Sequence, residues 1–380
     1  MLPEKENIPA PNFSEVEIPP RILLGPGPSM VEARVLQAMS APVVGHLDPA
    51  FQEIMDQTMA RLRYVFQTEN EKTFPISGTG TAAMEAAVAN LVEPGDSVLC
   101  FVIGYFGDRL AEMARRYGAQ VHVVSKPWGQ VFTAEEVKAA LEKHPAQIVT
   151  MVHGETSTGA AQPLEGMGEV IHQAGAVWIV DTVASLGGVP IFVDEMDIDV
   201  CYSGSQKCLS CPPGMGPITF GSRAWDKIAK RETPVANWYL DLNLLWEYWG
   251  PNRKYHHTAP ISSVYAFNKA LEIVAEEGLS NRWQRHQDQA EFFWRGLESR
   301  GIECHVHPEH RLASLTTVLI PTGVDDVETR KRLLSEYNIE ISGGFGELAG
   351  KVWRVGLMGH SARRENVTLL LAALDQIIQR

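Results

Sequence analysis

The sequence predicts an α/β protein with a large domain built on a mainly parallel sheet covered by helices, followed by a smaller C-terminal α+β domain. Two observations carry this. Apolar β-rich runs SVLCFVI (97–103), QVHVV (120–124), IVTMV (148–152) and AVWIVD (176–181) alternate with helical patterns at 49–66, 80–91, 107–117, 134–142 and 165–174, and strands that read as continuous apolar runs between helices belong to sheets buried on both faces. The chain has 380 residues, more than one hydrophobic core usually serves, which favours two domains.

Residues 1–20 are Pro-rich and acidic and read as an extended N-terminal arm. GPGPS at 25–29 ends a short apolar strand, and Ser29 is placed to cap a helix from Met30 to Met39. Runs at 199–203 and 216–220, the second after the Pro212-Pro213-Gly214 turn, complete the large domain over 21–262. Residues 236–260 are rich in Trp, Tyr and His and have no assignable period. The small domain, 263–380, begins with helical patterns at 263–276 and 279–300. Then come a strand at 315–321, a helix at 326–336, strands at 338–342 and 352–356, and a last helix at 364–378.

Composition excludes several classes. Thirty-three basic against 46 acidic residues leave a net charge of −13, which repels nucleic-acid backbones and anionic bilayers. No run of eighteen apolar residues suggests a membrane span. The N-terminus has no secretory or transit pattern and the C-terminus no peroxisomal address, so the expected location is cytoplasmic. Five cysteines without framework spacing argue against a disulfide scaffold, and Cys208-x-x-Cys211 lacks partners for a zinc site.

Open α/β sheets bind ligands beyond their strand ends, so residues closing the apolar runs are the candidates. Asp181 ends AVWIVD, where a carboxylate needs a cation or several donors; a protonated pyridine nitrogen would serve, and an N-cap for the following turn is the alternative. Lys207 follows the run 199–203 in a loop of small residues, where desolvation would lower its pKa and free the amine to form an imine; a solvated surface lysine is the alternative. Ser77-Gly-Thr-Gly-Thr leads into a helix whose N–H groups, with the hydroxyls of Thr79 and Thr81, suit a single phosphate better than a dinucleotide. Tyr105 and Phe106 could lay a ring on a planar ligand or simply pack in the core. Arg354, in the apolar strand VWRVG, should meet a carboxylate, either a ligand's or that of a structural salt bridge.

The strings LLGPGPS, SGTGTAAMEAA, HGETSTG, VDTVASLGG, YSGSQK, YHHT and RVGLMGHSARREN, in this order over nearly the whole chain, resemble the fold-type I pyridoxal-phosphate enzymes. Within them the chain is most similar to the class V aminotransferases of the alanine–glyoxylate and serine–pyruvate kind. The resemblance implies that Lys207 carries pyridoxal 5'-phosphate as a Schiff base and acts as general base, and that Asp181 pairs with the ring nitrogen. It further implies that Thr79, Gly80 and Thr81 bind the phosphate and that Phe106 and Val183 cover the two ring faces. Thr156 would contact the ring's oxygen side and Gln206 would flank Lys207. Tyr255 and Thr258 would reach the phosphate of the neighbouring subunit of a homodimer, and Arg354 would hold the substrate carboxylate. Members of this family often have tryptophan at the place of Phe106, histidine at Thr81 and serine at Thr156. His256 and His257 are expected to pack rather than bind metal. The implied reaction moves the amino group of alanine to glyoxylate. Serine as donor is the near alternative; a lyase or cysteine desulfurase, or a non-catalytic phosphate binder, are the distant ones. A desulfurase would need a nucleophilic cysteine that the loop 342–351 lacks.

Overall fold

The computed structural model describes residues 10–378. The part of the expected N-terminal arm before residue 10 lies outside them, and residues 10–20 are exposed and without regular structure. In chain order the first half comprises β1 (Ile22–Leu23), α1 (Ala33–Met39), α2 (Pro49–Phe66), β2 (Lys72–Ser77), α3 (Gly80–Leu91), β3 (Ser97–Val102), α4 (Tyr105–Arg116), β4 (Gln120–Ser125), α5 (Ala134–Lys143) and β5 (Ile148–Val152). A small hairpin of β6 (Gly154–Glu155) and β7 (Ala160–Ala161) precedes α6 (Met167–Gln173), β8 (Val177–Asp181), β9 (Val200–Tyr202), β10 (Met215–Phe220), α7 (Ser222–Ala229) and α8 (Leu242–Trp249). The C-terminal part contains α9 (Ile261–Glu277), α10 (Leu279–Glu298), β11 (Leu315–Leu319), α11 (Asp326–Tyr337), β12 (Ile339–Glu340), β13 (Ser342–Gly343), β14 (Val352–Gly356) and α12 (Arg364–Ile378).

Seven strands form the main sheet in the order β2-β10-β9-β8-β5-β3-β4. The run from β9 to β4 is parallel, and only β10 opposes its neighbours β2 and β9. Every residue of β5, β8 and β10 is buried, so helices cover both faces, as apolar runs without alternation require. The edge strand β4 is largely exposed and carries polar alternation instead.

Local chemistry fixes the helices that frame the site. Asp48 caps α2 by accepting from the Ala50 N–H at 2.8 Å, Pro49 opens the helix, and Gln67 closes it in the left-handed conformation. Thr133 and Glu136 form a reciprocal capping box on α5. Two expectations fail at helix starts. Ser29 does not cap α1: the helix begins at Ala33 behind Glu32, because the Ser29 hydroxyl is taken by the Lys207 carbonyl at 2.7 Å. Helix α4 begins at Tyr105 rather than 107, because acceptors distant in sequence satisfy its first N–H groups.

Two large apolar cores result, with a small third cluster of Ala184, Cys208, Leu312, Leu315 and Met358 beside the Lys207 loop. The first surrounds the main sheet and takes in α9 and Leu279; the second gathers Phe293, Leu297, Trp353, Leu370 and Leu374. The change from one core to the other falls within α10. The expected strand 338–342 is also split. Ile339 and Glu340 pair in parallel with Ile22 and Leu23, whereas Ser342 and Gly343 pair with β14. Leu24 follows β1 into the second core, so the N-terminal segment belongs to the C-terminal layer. Among the described residues no helix is long and apolar enough to cross a membrane.

Leu24 is completely buried, and truncating such a side chain costs about 2–5 kcal/mol. Leu24→Ala is therefore expected to lower the thermal midpoint measurably, and an unchanged Tm would contradict the docking of the N-terminal segment in the second core.

Candidate active site

At the C-terminal ends of β5 and β8 the starts of α3 and α4 converge on a cavity of about 210 Å³. Nine of the residues singled out in the sequence line it. Thr79, Gly80, Thr81 and Phe106 come from the helix starts, Thr156 and Asp181 from the strand ends, and Val183, Gln206 and Lys207 from the loops that follow. Tyr255, Thr258 and Arg354 do not. Tyr255 and Thr258 are exposed, with the Tyr255 ring 5.3 Å from that of His46. A larger cavity of about 530 Å³ lies behind Leu209 and Ser210. There Arg282 and Arg285 are already satisfied by Glu277 and by backbone carbonyls.

Lys207 is held by the N-terminal segment. Its amine donates to the Pro26 carbonyl, and the Ser29 N–H donates to the Gln206 carbonyl at 2.8 Å. Gly27 adopts φ +109°, and a Cβ there would sit 2.6 Å from Lys207 Cδ, so only glycine lets the loop approach this closely. Burial pulls the amine down to about 8; the Arg354 cation acts in the same direction, and Cys208 and Asp181 oppose it. The lysine is desolvated, as a nucleophilic amine requires.

Asp181 is buried, and both its oxygens are engaged: one accepts from the Val183 N–H at 2.8 Å and the other from the Tyr202 hydroxyl at 2.9 Å. Part of its role is thus the local turn cap foreseen as an alternative. Desolvation nonetheless raises it to about 6 against these two bonds. A cationic ring nitrogen would relieve that penalty. At the start of α3 the N-cap Thr79 makes no side-chain bond, so the helix entry is open to an anion. Gln206 Oε1 is buried without a partner.

Arg354 projects from the middle of β14. Its Nε donates to the Gly343 carbonyl at 2.9 Å, Nη1 to the Thr156 carbonyl at 3.4 Å, and its guanidinium lies 4.5 Å from the centre of the Phe345 ring. No carboxylate pairs with it among the described residues, so the salt-bridge alternative is not realised; burial lowers it to about 10. His256 stacks on Trp238 at 4.4 Å, and His257 Nε2 bonds Ser77 Oγ at 2.8 Å. The thiols of Cys208 and Cys211 are free and buried.

Sequence reasoning missed three site residues. Arg109 lines the cavity, covers the Phe106 ring at 4.8 Å and reaches Thr81 Oγ1 at 3.3 Å; its spacing of three from Phe106 on one helix face was the available signal. Tyr202, buried in β9, supports Asp181. Glu155 lies fully buried behind Phe106.

A desolvated lysine also leaves a mark on stability. The amine titrates near 8 in the folded chain against 10.5 ordinarily. Between these values the unfolded chain binds more protons, so stability rises with pH there, and below 8 the full cost of the buried ammonium is present. In the ligand-free protein Lys207→Met should exceed wild type in urea midpoint below pH 8, with the gap closing toward pH 10.5. A gap independent of pH would contradict desolvation of the amine.

The aminotransferase class-V family model matches residues 22–365. The chain is 58% identical to a solved alanine–glyoxylate aminotransferase from Nostoc sp., with a TM-score of 0.95 over 97% of both chains. It is 44% identical to the solved ureidoglycine–glyoxylate aminotransferase from Bacillus subtilis, with a TM-score of 0.95 over 97% of this chain and 95% of that one. It is also 42% identical to the alanine–glyoxylate aminotransferase of Callithrix jacchus over 96% of this chain and 89% of that one. The residues present fit the cofactor of this family: a low-pKa amine, a buried carboxylate for a ring nitrogen, an open helix entry for a phosphate, and an orphaned Gln206 oxygen. The chain belongs to the class V aminotransferases and is a pyridoxal-phosphate-dependent aminotransferase.

Proposed function

We propose that the enzyme transfers the amino group of alanine to glyoxylate, releasing pyruvate and glycine. The observation that carries this reading is the guanidinium of Arg354, unpaired with any described carboxylate and close enough to Lys207 to depress its pKa. A guanidinium held in place by the Gly343 and Thr156 carbonyls suits the carboxylate of a small amino or keto acid. The 58% identity to the Nostoc enzyme named for this substrate pair supports it. A second reading, a ureidoglycine donor with the same acceptor, is favoured by the Bacillus subtilis relative, 42% identical over 96% of this chain.

Bound pyridoxal phosphate supplies an aldehyde carbon to receive the amino group and a ring to accept the electron pair left at the substrate Cα. The chain supplies the rest. Lys207, with its amine near neutrality, takes the Cα proton as general base and returns it on the cofactor side. Asp181, steadied by Tyr202 and the Val183 N–H, keeps a proton on the ring nitrogen. Phe106 and Val183 would hold the ring between them, Thr156 and Gln206 would reach its polar edge, and the N–H groups of Gly80 and Thr81 with the Thr79 hydroxyl would bind the phosphate. Tyr255 and Thr258, exposed on this chain, complete that phosphate site in the other subunit of a homodimer.

Lys207→Ala should lose transamination by roughly 10²–10⁴-fold, the usual share of a positioned base; full retention with standard donors would sink the mechanism. Arg354→Ala should raise KM for both the amino and the keto acid by about 10-fold or more, as loss of a charge-assisted bond implies, and unaltered values would remove the carboxylate role. With glyoxylate as acceptor, steady-state kinetics on alanine, serine and (S)-ureidoglycine decide the donor: the alanine assignment requires the highest kcat/KM for alanine.

A further inference from the structure

Helix α4 carries Phe106 in its first turn, and its N-cap is Gly104, which has no side chain to satisfy the leading N–H groups. The acceptors come from a loop about fifty residues further on. The Tyr105 N–H donates to Ser157 Oγ at 3.0 Å. The N–H groups of Phe106 and Gly107 both donate to Glu155 Oε2, at 3.0 and 3.4 Å. The other carboxylate oxygen, Oε1, accepts from the Ser157 N–H at 3.0 Å and from the Ser157 hydroxyl at 2.6 Å. Four donors therefore fill one buried carboxylate, and no described cation touches it. Gly104 is required at the junction: a Cβ there would lie 2.6 Å from Glu155 Cδ and closer still to Ser157 Oγ.

We propose that Glu155 is a positioning residue for the transamination, capping α4 from across the site so that the Phe106 ring is fixed relative to the strand end that carries Thr156. An ordinary cap ties a helix to its own preceding residues. This one ties it to the opposite wall of the cavity, where the next residue, Thr156, lines the site and its carbonyl accepts from Arg354 Nη1. A carboxylate suits the place because it accepts on both oxygens and lies at a helix N-terminus, where negative charge is favoured. An amide must turn its donor side toward either the α4 N–H groups or those of Ser157. Replacing the carboxylate by an amide therefore releases one side of this junction without removing any group that touches the cofactor. The proposal rests on the reading of Phe106 as a wall against the cofactor ring.

The test is a double-mutant cycle on the holoenzyme equilibrated at graded free pyridoxal phosphate. Occupancy is read from visible absorbance and ring setting from visible circular dichroism. Glu155→Gln is expected to weaken cofactor retention by about tenfold and to reduce the visible dichroism per bound cofactor, the fold-change of a lost charged hydrogen-bond partner. In a Phe106→Leu background the same change should add less than twofold. Equal losses in both backgrounds, or an unaltered dichroism, overturn the proposal. If Phe106→Leu alone leaves retention unchanged, it is the ring-wall reading that fails. Should Glu155→Gln not fold, Ser157→Ala, which removes the Tyr105 acceptor and the one hydroxyl donor on Glu155 Oε1, is read in the same cycle: dependence on Phe106 supports the proposal and additivity overturns it.

Discussion

Everything at this site depends on keeping one lysine amine out of water without giving it a carboxylate to neutralise it. A salt-bridged or a solvated lysine would hold its proton well above neutral pH and offer almost no free amine, whereas burial brings this one down to about 8. The fold meets the constraint by handing the amine a neutral acceptor, the Pro26 carbonyl, while Asp181 spends its oxygens on Val183 and Tyr202. The glycine at 27 and the Ser29 bonds bring that carbonyl into range. A segment at the beginning of the chain thus sets the state of a residue in its middle.

The electrostatics of the cavity run against those of the molecule. A chain with net charge −13 places Arg109, Lys207 and the nearby Arg354 around the opening of a helix, so anionic ligands meet local positive potential in a globally negative field. The acids that accompany them, Asp181 and Glu155, are both raised by burial, to about 6 and about 7. Each is held by donors and not by a cation in contact, which leaves the cations available to ligands.

Much of this was legible in the sequence. Helices 49–66 and 80–91 and strands 148–152 and 352–356 fall where periodicity placed them, since burial and period coincide there. Asp181 and Lys207 could be found because a charge beside an apolar run demands an explanation. What escaped was chemistry settled by distant partners. Ser29 has every attribute of a helix cap, yet its hydroxyl belongs to the Lys207 loop. Tyr105 opens a helix because Ser157 and Glu155 reach it from far along the chain. Arg109 looks like a solvated residue of an amphipathic helix, and Tyr202 like core. The stretch 338–342 looks like one strand, but alternate ends of it answer to different sheets.

The pairing of β1 with β12 has a consequence for biosynthesis. Arg21 and Asn338, which bond beside that pairing, are 317 residues apart. A ribosome releases the first strand long before its partner exists, and non-local closure is the slow, entropically expensive part of folding. The segment bearing Pro26 must therefore wait, unpaired, through synthesis of the entire main sheet. A product truncated before residue 339 would present a nearly complete main sheet with β1 lacking its partner strand.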